Sequence, residues 1–280
     1  MKPKSLVFAF VILGVSVLLT SFVFSDTAQT TVDVGNLGPQ VGTPSATDPI
    51  DLNEGSDITV YCNTTINDTN GWEDIDEVNA TLKTVQTPCT ADPDNCYKNT
   101  SCTIGTGSSN SLDVNCSFSV LWYADSGDWY CNITANDSQG TSNYSSISTV
   151  TINSLVALDV NSSIGFGSLS IGQDSGNHTA QVNNTGNSQI DVRLNGTNMS
   201  CDTQGNITVG QLHYNTTSAS DWTLMCALTE TNTDTCSEIQ SNFDLTDGAS
   251  SNKDIYWILR VPSGVSGICT GYITFTAISG

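Results

Sequence analysis

Basic residues are scarce in this chain: 7 lysines and arginines stand against 28 aspartates and glutamates, which gives a formal net charge of −21 over 280 residues. A surface of this kind repels nucleic acids and anionic membranes, so neither is expected as a partner. Only 12% of the residues are charged, and Ser, Thr and Asn supply the polar surface instead. With 38% hydrophobic residues in alternating runs, the chain still has the side chains for a core.

Recognisable catalytic motifs are also missing. The sequence contains no G-x-S-x-G, H-E-x-x-H or phosphate-binding loop, and its two histidines, His178 and His213, lie in separate segments. No pair of cysteines has the C-x-x-C spacing of a zinc or redox site. We therefore expect a protein that is not an enzyme.

The N-terminus has the layout of a secretory signal peptide. Lys2 and Lys4 precede an uncharged run from residue 6 to residue 24. Because this run is also long enough to cross a bilayer, residues 1–25 are predicted to be either a cleaved signal peptide or a retained N-terminal membrane anchor. Either one exports the chain, so we expect an extracellular or cell-surface protein that meets the membrane only through this segment.

The ten cysteines fall into two even groups, which in an exported chain predicts disulfides within each half. The first group is Cys62, Cys89, Cys96, Cys102, Cys116 and Cys131, and the second is Cys201, Cys226, Cys236 and Cys269. Pairing Cys89 with Cys96 would close a short loop, and pairing Cys102 with Cys116 would tie the end of a long irregular stretch to a strand. Three connectivities stay open for the second group.

Sequons of the form N-x-S/T are more frequent than the Ser and Thr content explains, which predicts a glycan-coated exterior. The candidate sites are Asn63, Asn67, Asn79, Asn99, Asn132, Asn136, Asn143, Asn161, Asn177, Asn183, Asn195, Asn198, Asn206 and Asn215. Asn115 also begins a sequon, but its middle residue is Cys116, and a bridged cysteine there makes it a poor acceptor.

Two segments of the first half alternate with the period of a half-buried strand. In SDITVYCNTT the pattern sends Val60 and Cys62 inward and the sequon Asn63 outward. In GDWYCNITA it sends Trp129 and Cys131 inward. Two cysteines are therefore predicted on the inner faces of two separate strands.

The octapeptide ADSGDWYC resembles the D-x-G/A-x-Y-x-C pattern that leads into the F strand of the immunoglobulin-like fold, with Asp125, Gly127 and Cys131 aligned. The resemblance implies that Cys62 lies on the B strand and pairs with Cys131 across two sheets. Trp129 stands where that family has its corner tyrosine. The tyrosine's bond to upstream backbone is therefore either missing or replaced by an indole N–H donor.

From residue 154 the alternating runs restart. The F-G-x-L-x-x-G, V-x-N-T-G-N and V-P-x-G elements look like the immunoglobulin-like modules of archaeal exported surface proteins and, less closely, biofilm filament subunits of the TasA type. The predicted fold is all-β, with two tandem immunoglobulin-like β-sandwich domains, residues 26–153 and 154–280, after an N-terminal hydrophobic helix. The last strand is expected to carry Cys269 and Tyr272.

One acidic segment offers oxygen ligands for calcium, which suits an acidic exported protein. NDTNGWEDID contains the candidate ligands Asp68, Asn70, Asp74 and Asp76. Asn70 followed by Gly71 is also an ordinary turn signal, so a solvated loop is the competing interpretation.

Three functions follow from these patterns. The first is a glycosylated surface or secreted protein with a structural or adhesive role, whose partners are other surface proteins or glycans. The second is a filament subunit that binds copies of itself by exchanging residues 27–38, although pairing of residues 31–34 at the edge of their own sheet is the simpler expectation. The third is an exported enzyme with a carboxylate site that the sequence does not reveal.

Overall fold

The computed structural model describes residues 26–84, 89, 94–231 and 251–280. Residues 36–280 form one compact unit, and residues 1–35 form another, of which 26–35 are described. The predicted N-terminal hydrophobic helix, residues 1–25, and Cys236 lie outside the described residues. Within the described ranges, no helix is long and apolar enough to span a bilayer.

The N-terminal half, residues 40–152, is built from nine described strands and a 3-10 turn at Trp72–Asp74. The strands are β1 (Gln40–Val41), β2 (Ile58–Asn67), β3 (Ile75–Thr84), β4 (Cys96–Asn99), β5 (Thr103–Ile104), β6 (Ser111–Val120), β7 (Gly127–Asp137), β8 (Ser142–Tyr144) and β9 (Ser148–Ile152). One sheet has the order β1-β2-β6-β5. The other has the order β4-β3-β7-β8, and β9 also pairs with β7. All these pairs are antiparallel.

The inner faces of the two sheets share one hydrophobic core. Burial alternates residue by residue along β2, β6 and β7, which confirms the predicted period-two pattern. Trp129 and Cys131 are fully buried on β7, and Cys62 is fully buried on β2. The cores of sheets packed face to face are assembled from such alternating residues, so this half consists of two sheets closed over one core.

Disulfides join the elements of the N-terminal half in the predicted pairs. Cys62 of β2 is bonded to Cys131 of β7, which ties one sheet to the other with a Cα–Cα distance of 6.4 Å. The stretch between β3 and β6, predicted from the sequence to be irregular, contains β4 and β5. Two further bonds attach to it, Cys89 to Cys96 and Cys102 to Cys116.

The C-terminal half, residues 158–279, contains ten described strands and 3-10 turns at Val209–Gln211 and Trp222–Leu224. The strands are β10 (Leu158–Val160), β11 (His178–Asn184), β12 (Ile190–Gly196), β13 (Met199–Cys201), β14 (Asn206–Ile207), β15 (Leu212–Asn215), β16 (Cys226–Ala227), β17 (Asn252–Leu259), β18 (Cys269–Thr270) and β19 (Ile273–Ser279). Three sheets result, with orders β10-β11-β17-β15-β16, β12-β19 and β14-β13-β18.

A second hydrophobic core lies among these sheets, around the fully buried Trp257. Cys201 and Cys269 are bonded to each other and are directly opposed on the neighbouring strands β13 and β18, so this bond lies within one sheet. Cys226 is also disulfide-bonded. The expectation of one last strand carrying Cys269 and Tyr272 is wrong. Residues 271 and 272 separate β18 from β19 and belong to neither strand, and Tyr272 is 74% exposed.

The segment that follows the predicted leader is not a strand. Residues 26–39 have no strand, and Val32 and Val34 are 85% and 76% exposed. The expectation that residues 31–34 pair at the edge of their own sheet is therefore wrong. The two-residue strand β1 occupies that edge instead, with Gln40 opposite Asn67.

The two halves are joined by the short connection 153–157, and further hydrogen bonds link them beside it. The backbone N–H of Gly55 donates to the carbonyl oxygen of Thr185 at 3.2 Å, and the Thr185 hydroxyl donates to Glu54 at 2.9 Å. The predicted domain boundary at residue 153 falls at the start of this connection and stays a prediction.

Candidate functional site

Three aspartates converge at one end of the N-terminal half. Asp68 follows β2, Asp74 ends the first 3-10 turn, and Asp137 ends β7. Each offers one carboxylate oxygen, and these three oxygens lie within 4.8 Å of one another. The three residues are called the aspartate cluster below.

Asp68 is held by the tight turn that reverses the chain after β2. Its Oδ1 accepts a hydrogen bond from the backbone N–H of Asn70 at 2.8 Å, and its carbonyl oxygen accepts one from Gly71 at 3.2 Å. Gly71 has a φ of 118°, which side chains other than hydrogen rarely allow. The side chain of Asp68 is only 1% exposed, and its Oδ2 accepts no hydrogen bond from the described residues.

Asp137 occupies a similar turn between β7 and β8. Its Oδ1 accepts hydrogen bonds from the backbone N–H groups of Gln139 and Thr141 at 3.0 and 2.7 Å. Its Oδ2 accepts a third from the Asn36 side chain at 2.8 Å. Aspartates commonly bond to backbone two residues ahead in such turns, which explains why this residue type ends the strand here.

Asp74 is bound by the same turn. Ser138 donates its backbone N–H to the Asp74 carbonyl oxygen at 2.8 Å and its hydroxyl to the Asp74 carboxylate. The position of Asp74 is thus set by the residue next to Asp137, and two of the three carboxylates are fixed relative to each other.

The charge of the cluster is not balanced by any basic side chain in the described part of the chain. Burial raises the pKa of Asp137, but the hydrogen bonds from Asn36, Thr141 and Gln139 lower it, and the net pKa lies below the usual range of an aspartate. Asp137 is therefore ionised at neutral pH. Like charges this close repel each other unless a cation lies between them.

The structure brings together two of the four predicted calcium ligands. Asp76 is exposed on β3 and is outside the cluster. The Asn70 side chain is also outside it, because its Oδ1 accepts a hydrogen bond from the backbone N–H of Leu37 at 3.0 Å. The assignment of Asn70 and Asp76 as ligands stays a prediction. Proximity along the chain does not determine which side chains of a turn point to the same place.

Asp137 was not predicted, because it lies far from Asp68 in sequence. Antiparallel pairing of β3 with β7 places it opposite Ile75, next to Asp74. The DSQG turn at 137–140 has the same D-x-x-G spacing as the DTNG turn at 68–71. That repeated spacing is the one signal in the sequence that relates the two aspartates.

A second polar group surrounds His213 in the C-terminal half. Arg260 forms a bidentate ion pair with Asp174 at 2.5 and 2.7 Å, and its guanidinium lies 4.1 Å from the ring centroid of Trp222. Trp222 stacks on His213 at 3.7 Å. The hydrogen bond from Arg260 lowers the pKa of Asp174, whereas burial lowers the pKa of His213. Each of these four side chains contacts another one of the group, so we interpret the group as a structural cluster that holds neighbouring segments together.

The sequon asparagines lie at exposed or half-buried positions. None of the predicted acceptors is buried. Seven of them are exposed, namely Asn63, Asn67, Asn143, Asn161, Asn177, Asn198 and Asn206. The two buried asparagines of the described chain, Asn184 and Asn187, both lie outside sequons.

Comparison with known proteins gives neither a family model nor a curated protein that matches this chain. Similar solved structures include a chaperone–tip adhesin complex of CFA/I fimbriae biogenesis, at 10% identity over 87% of this chain and 84% of the other, with a TM-score of 0.30. The C-terminal domain of the Streptococcus agalactiae AgI/II polypeptide BspA matches at 10% identity over 86% and 96%, with a TM-score of 0.25. Latent PorU from Porphyromonas gingivalis matches at 10% over 85% and 20%, with a TM-score of 0.28. Because these sequence identities and TM-scores are low, we assign no function from the similarities.

Proposed function

We propose that the chain is a non-enzymatic, secreted or surface-anchored glycoprotein with a structural or adhesive role. The observation that carries this proposal is the placement of the sequons. An N-linked glycan has to lie in solvent, so acceptor asparagines must avoid the core. Seven of the predicted acceptors are exposed and the others are half-buried, while the buried Asn184 and Asn187 lie outside sequons.

The disulfides support an extracellular location. Such bonds persist in oxidising compartments and are rare in reducing ones. Cys62, Cys116 and Cys131 are each bonded and fully buried, so they contribute to stability and are not accessible for thiol chemistry. The four bonds between described cysteines each close a loop within one half of the chain, as expected for a protein that must stay folded outside the cell.

The aspartate cluster supports the absence of an enzymatic role. A carboxylate that acts on a polymer or a sugar must contact it. Asp68 and Asp137 are 1% and 3% exposed, so a substrate cannot reach two of the three carboxylates. We therefore do not take the aspartate cluster as a catalytic site for the third function considered above, an exported enzyme.

Immunogold labelling of intact cells of the source organism tests the proposed location. We expect label at the cell surface or in the surrounding medium, with no permeabilisation needed. Label that appears only after permeabilisation would contradict the proposal. Recombinant protein that lacks residues 1–25 serves as the antigen, so that the antibody recognises the exported part.

We also propose that each half is an immunoglobulin-like domain. Strand order supports this for the N-terminal half, because β5-β6-β2-β1 and β4-β3-β7-β9 match the D-E-B-A and C′-C-F-G orders of that fold. The buried Cys62–Cys131 bond would then be the B–F disulfide. Expression of residues 154–280 alone should give a single cooperative unfolding transition. An unfolded fragment would mean that the two halves are one domain.

A filament subunit is a second candidate function, favoured by one observation. Residues 26–39 form no strand, and their apolar side chains Val32 and Val34 are exposed. An exposed alternating segment can add as a strand to the sheet edge of another molecule.

Negative-stain microscopy separates the two candidates. The filament function predicts polymers in material from the native surface, and a variant lacking residues 27–35 should remain a folded monomer. The deletion leaves Asn36 and Leu37 in place, so their bonds to the body of the protein are kept. Native protein that is monomeric at high concentration would remove this candidate.

A further inference from the structure

We propose that Asp68, Asp74 and Asp137 bind one calcium ion, and that this ion fixes the position of residues 36–37 at the start of the compact unit. The proposal is independent of the proposed function, since a calcium site would fit either a surface protein or a filament subunit. It depends on two separate observations. The three carboxylates converge, and Asp68 Oδ2 is buried without a hydrogen-bond partner among the described residues.

The first observation is geometric. Oxygens from three carboxylates lie within 4.8 Å of one another, and no lysine, arginine or histidine in the described ranges forms an ion pair with them. A single cation placed among the three oxygens would contact all of them and remove their mutual repulsion.

The second observation is the unpaired oxygen of Asp68. This oxygen is buried, and no donor among the described residues reaches it. A carboxylate oxygen left without a partner in the interior costs free energy, whereas coordination to a metal ion satisfies it. Its partner atom Oδ1 is already held by Asn70, so the side chain cannot turn away without breaking that bond.

The donor set selects the kind of metal. All three candidate ligands are carboxylates, and the cluster contains no cysteine or histidine, which zinc and copper prefer. Calcium takes six to eight oxygen ligands in flexible arrangements, whereas magnesium demands a tighter octahedron and keeps most of its water. Ligands on three separate turns favour the more adaptable ion.

The ion would act on residues 36–37 through two short chains of hydrogen bonds. Asp68 Oδ1 accepts from Asn70, and Asn70 Oδ1 accepts from the backbone N–H of Leu37. Asp137 Oδ2 accepts directly from the Asn36 side chain. Fixing both carboxylates therefore fixes the backbone just before β1.

The test is a thermal unfolding series on the full exported chain after removal of metal with a chelator. At a calcium concentration about a hundredfold above the dissociation constant, the midpoint should rise by about 5–10 °C. Asp68→Asn and Asp74→Asn should each abolish the rise. Asp76→Asn is the matched control, since Asp76 lies in the same acidic segment but outside the cluster, and it should keep the full rise.

Stability without calcium separates loss of the site from loss of the fold. Removing one charge from an unoccupied cluster relieves repulsion, so Asp74→Asn should unfold at or above the wild-type midpoint in chelator. Exchange of the Leu37 amide hydrogen with solvent can be followed by NMR. Calcium should slow this exchange in the wild type and in Asp76→Asn, but not in Asp68→Asn or Asp74→Asn.

Three results would overturn the proposal. They are an unchanged wild-type midpoint with saturating calcium, an equal rise in Asp68→Asn, or an equal rise when magnesium replaces calcium. The first two would mean that the cluster holds no ion, and the third would mean that the ion is not calcium. None of these results bears on whether the sequons carry glycans, so the proposed function is tested separately.

Discussion

The side chain of Asn187 donates a hydrogen bond to the carbonyl oxygen of Ala124, 63 residues earlier in the chain, at 2.9 Å. The same amide donates to the carbonyl oxygen of Asn153 at 3.1 Å, and its Oδ1 accepts from the backbone N–H of Leu155 at 2.6 Å. Asn187 is 2% exposed. One buried side chain of the C-terminal half thus satisfies backbone groups of the N-terminal half and of the connection between the halves.

Asn187→Ala should destabilise the contact between the two halves more than its small change in side-chain volume suggests. The substitution leaves the buried carbonyl oxygen of Ala124 without this donor, which costs about 1–3 kcal/mol. It also removes the acceptor of the Leu155 N–H, which is only partly buried. Urea unfolding followed by fluorescence should show a lower midpoint and two separate transitions, one for each half.

Asn153→Ala provides the matched control for this prediction. The Asn153 side chain is exposed and donates only to Asp51, at 2.8 Å. Exposed contacts of this kind change stability by less than about 0.5 kcal/mol. Equal effects of the two substitutions would show that burial at Asn187 is unimportant.

The disulfides should differ in their resistance to reduction. Cys62 and Cys131 are fully buried, whereas Cys201 and Cys269 are only half-buried on β13 and β18. Both pairs close loops of nearly equal length, so loop entropy, about 4 kcal/mol for each, does not distinguish them. Mild reductant followed by alkylation and peptide mapping should label Cys201 and Cys269 before Cys62 and Cys131. Earlier labelling of Cys62 would contradict the account of the core.

Stability should fall as the pH drops below 6.5 because of His213. Burial lowers the pKa of His213 below its ordinary value of 6.5, and the nearby Arg260 lowers it too. Below pH 6.5 the unfolded chain binds a proton that the folded protein excludes, so the free energy of unfolding declines until the lower folded pKa is reached. Above pH 6.5 His213 contributes no pH dependence.

Comparison of two proteins isolates this effect. Both carry His178→Gln, and one also carries His213→Gln, so that only one histidine differs. Denaturant midpoints should diverge as the pH falls, with a shallower decline in the double variant. If the two denaturant midpoints changed equally with pH, protonation of His213 would not be the cause of the decline.

Period-two alternation made the N-terminal core predictable. On β2 and β7, local sequence alone determines which side of the strand each residue faces, and Cys62, Trp129 and Cys131 are all inward as predicted. The structure also decides the open question at Trp129. Its indole N–H donates to the carbonyl oxygen of Asp125 at 2.7 Å, so the expected alternative of an indole donor to upstream backbone is the one observed.

Features that depend on register or on competition between segments were not predictable. Asp137 lies beside Asp74 because β3 and β7 pair in a register that places Asp137 opposite Ile75. The segment around Val32 has strand-forming residues, yet β1 takes the edge of the sheet. Strand propensity indicates that a segment can form a strand, but it does not determine which of two competing segments pairs with a sheet edge.

The measurement that tests the central claim most directly is glycopeptide mapping of the protein purified from its source. Five sequon asparagines are exposed and donate no side-chain hydrogen bond within the described chain, and we expect glycans on them: Asn63, Asn67, Asn143, Asn161 and Asn206. Asn79 should be unmodified, because its side-chain oxygen is buried. A native chain with all five asparagines unmodified would contradict the proposal that this is an extracellular glycoprotein.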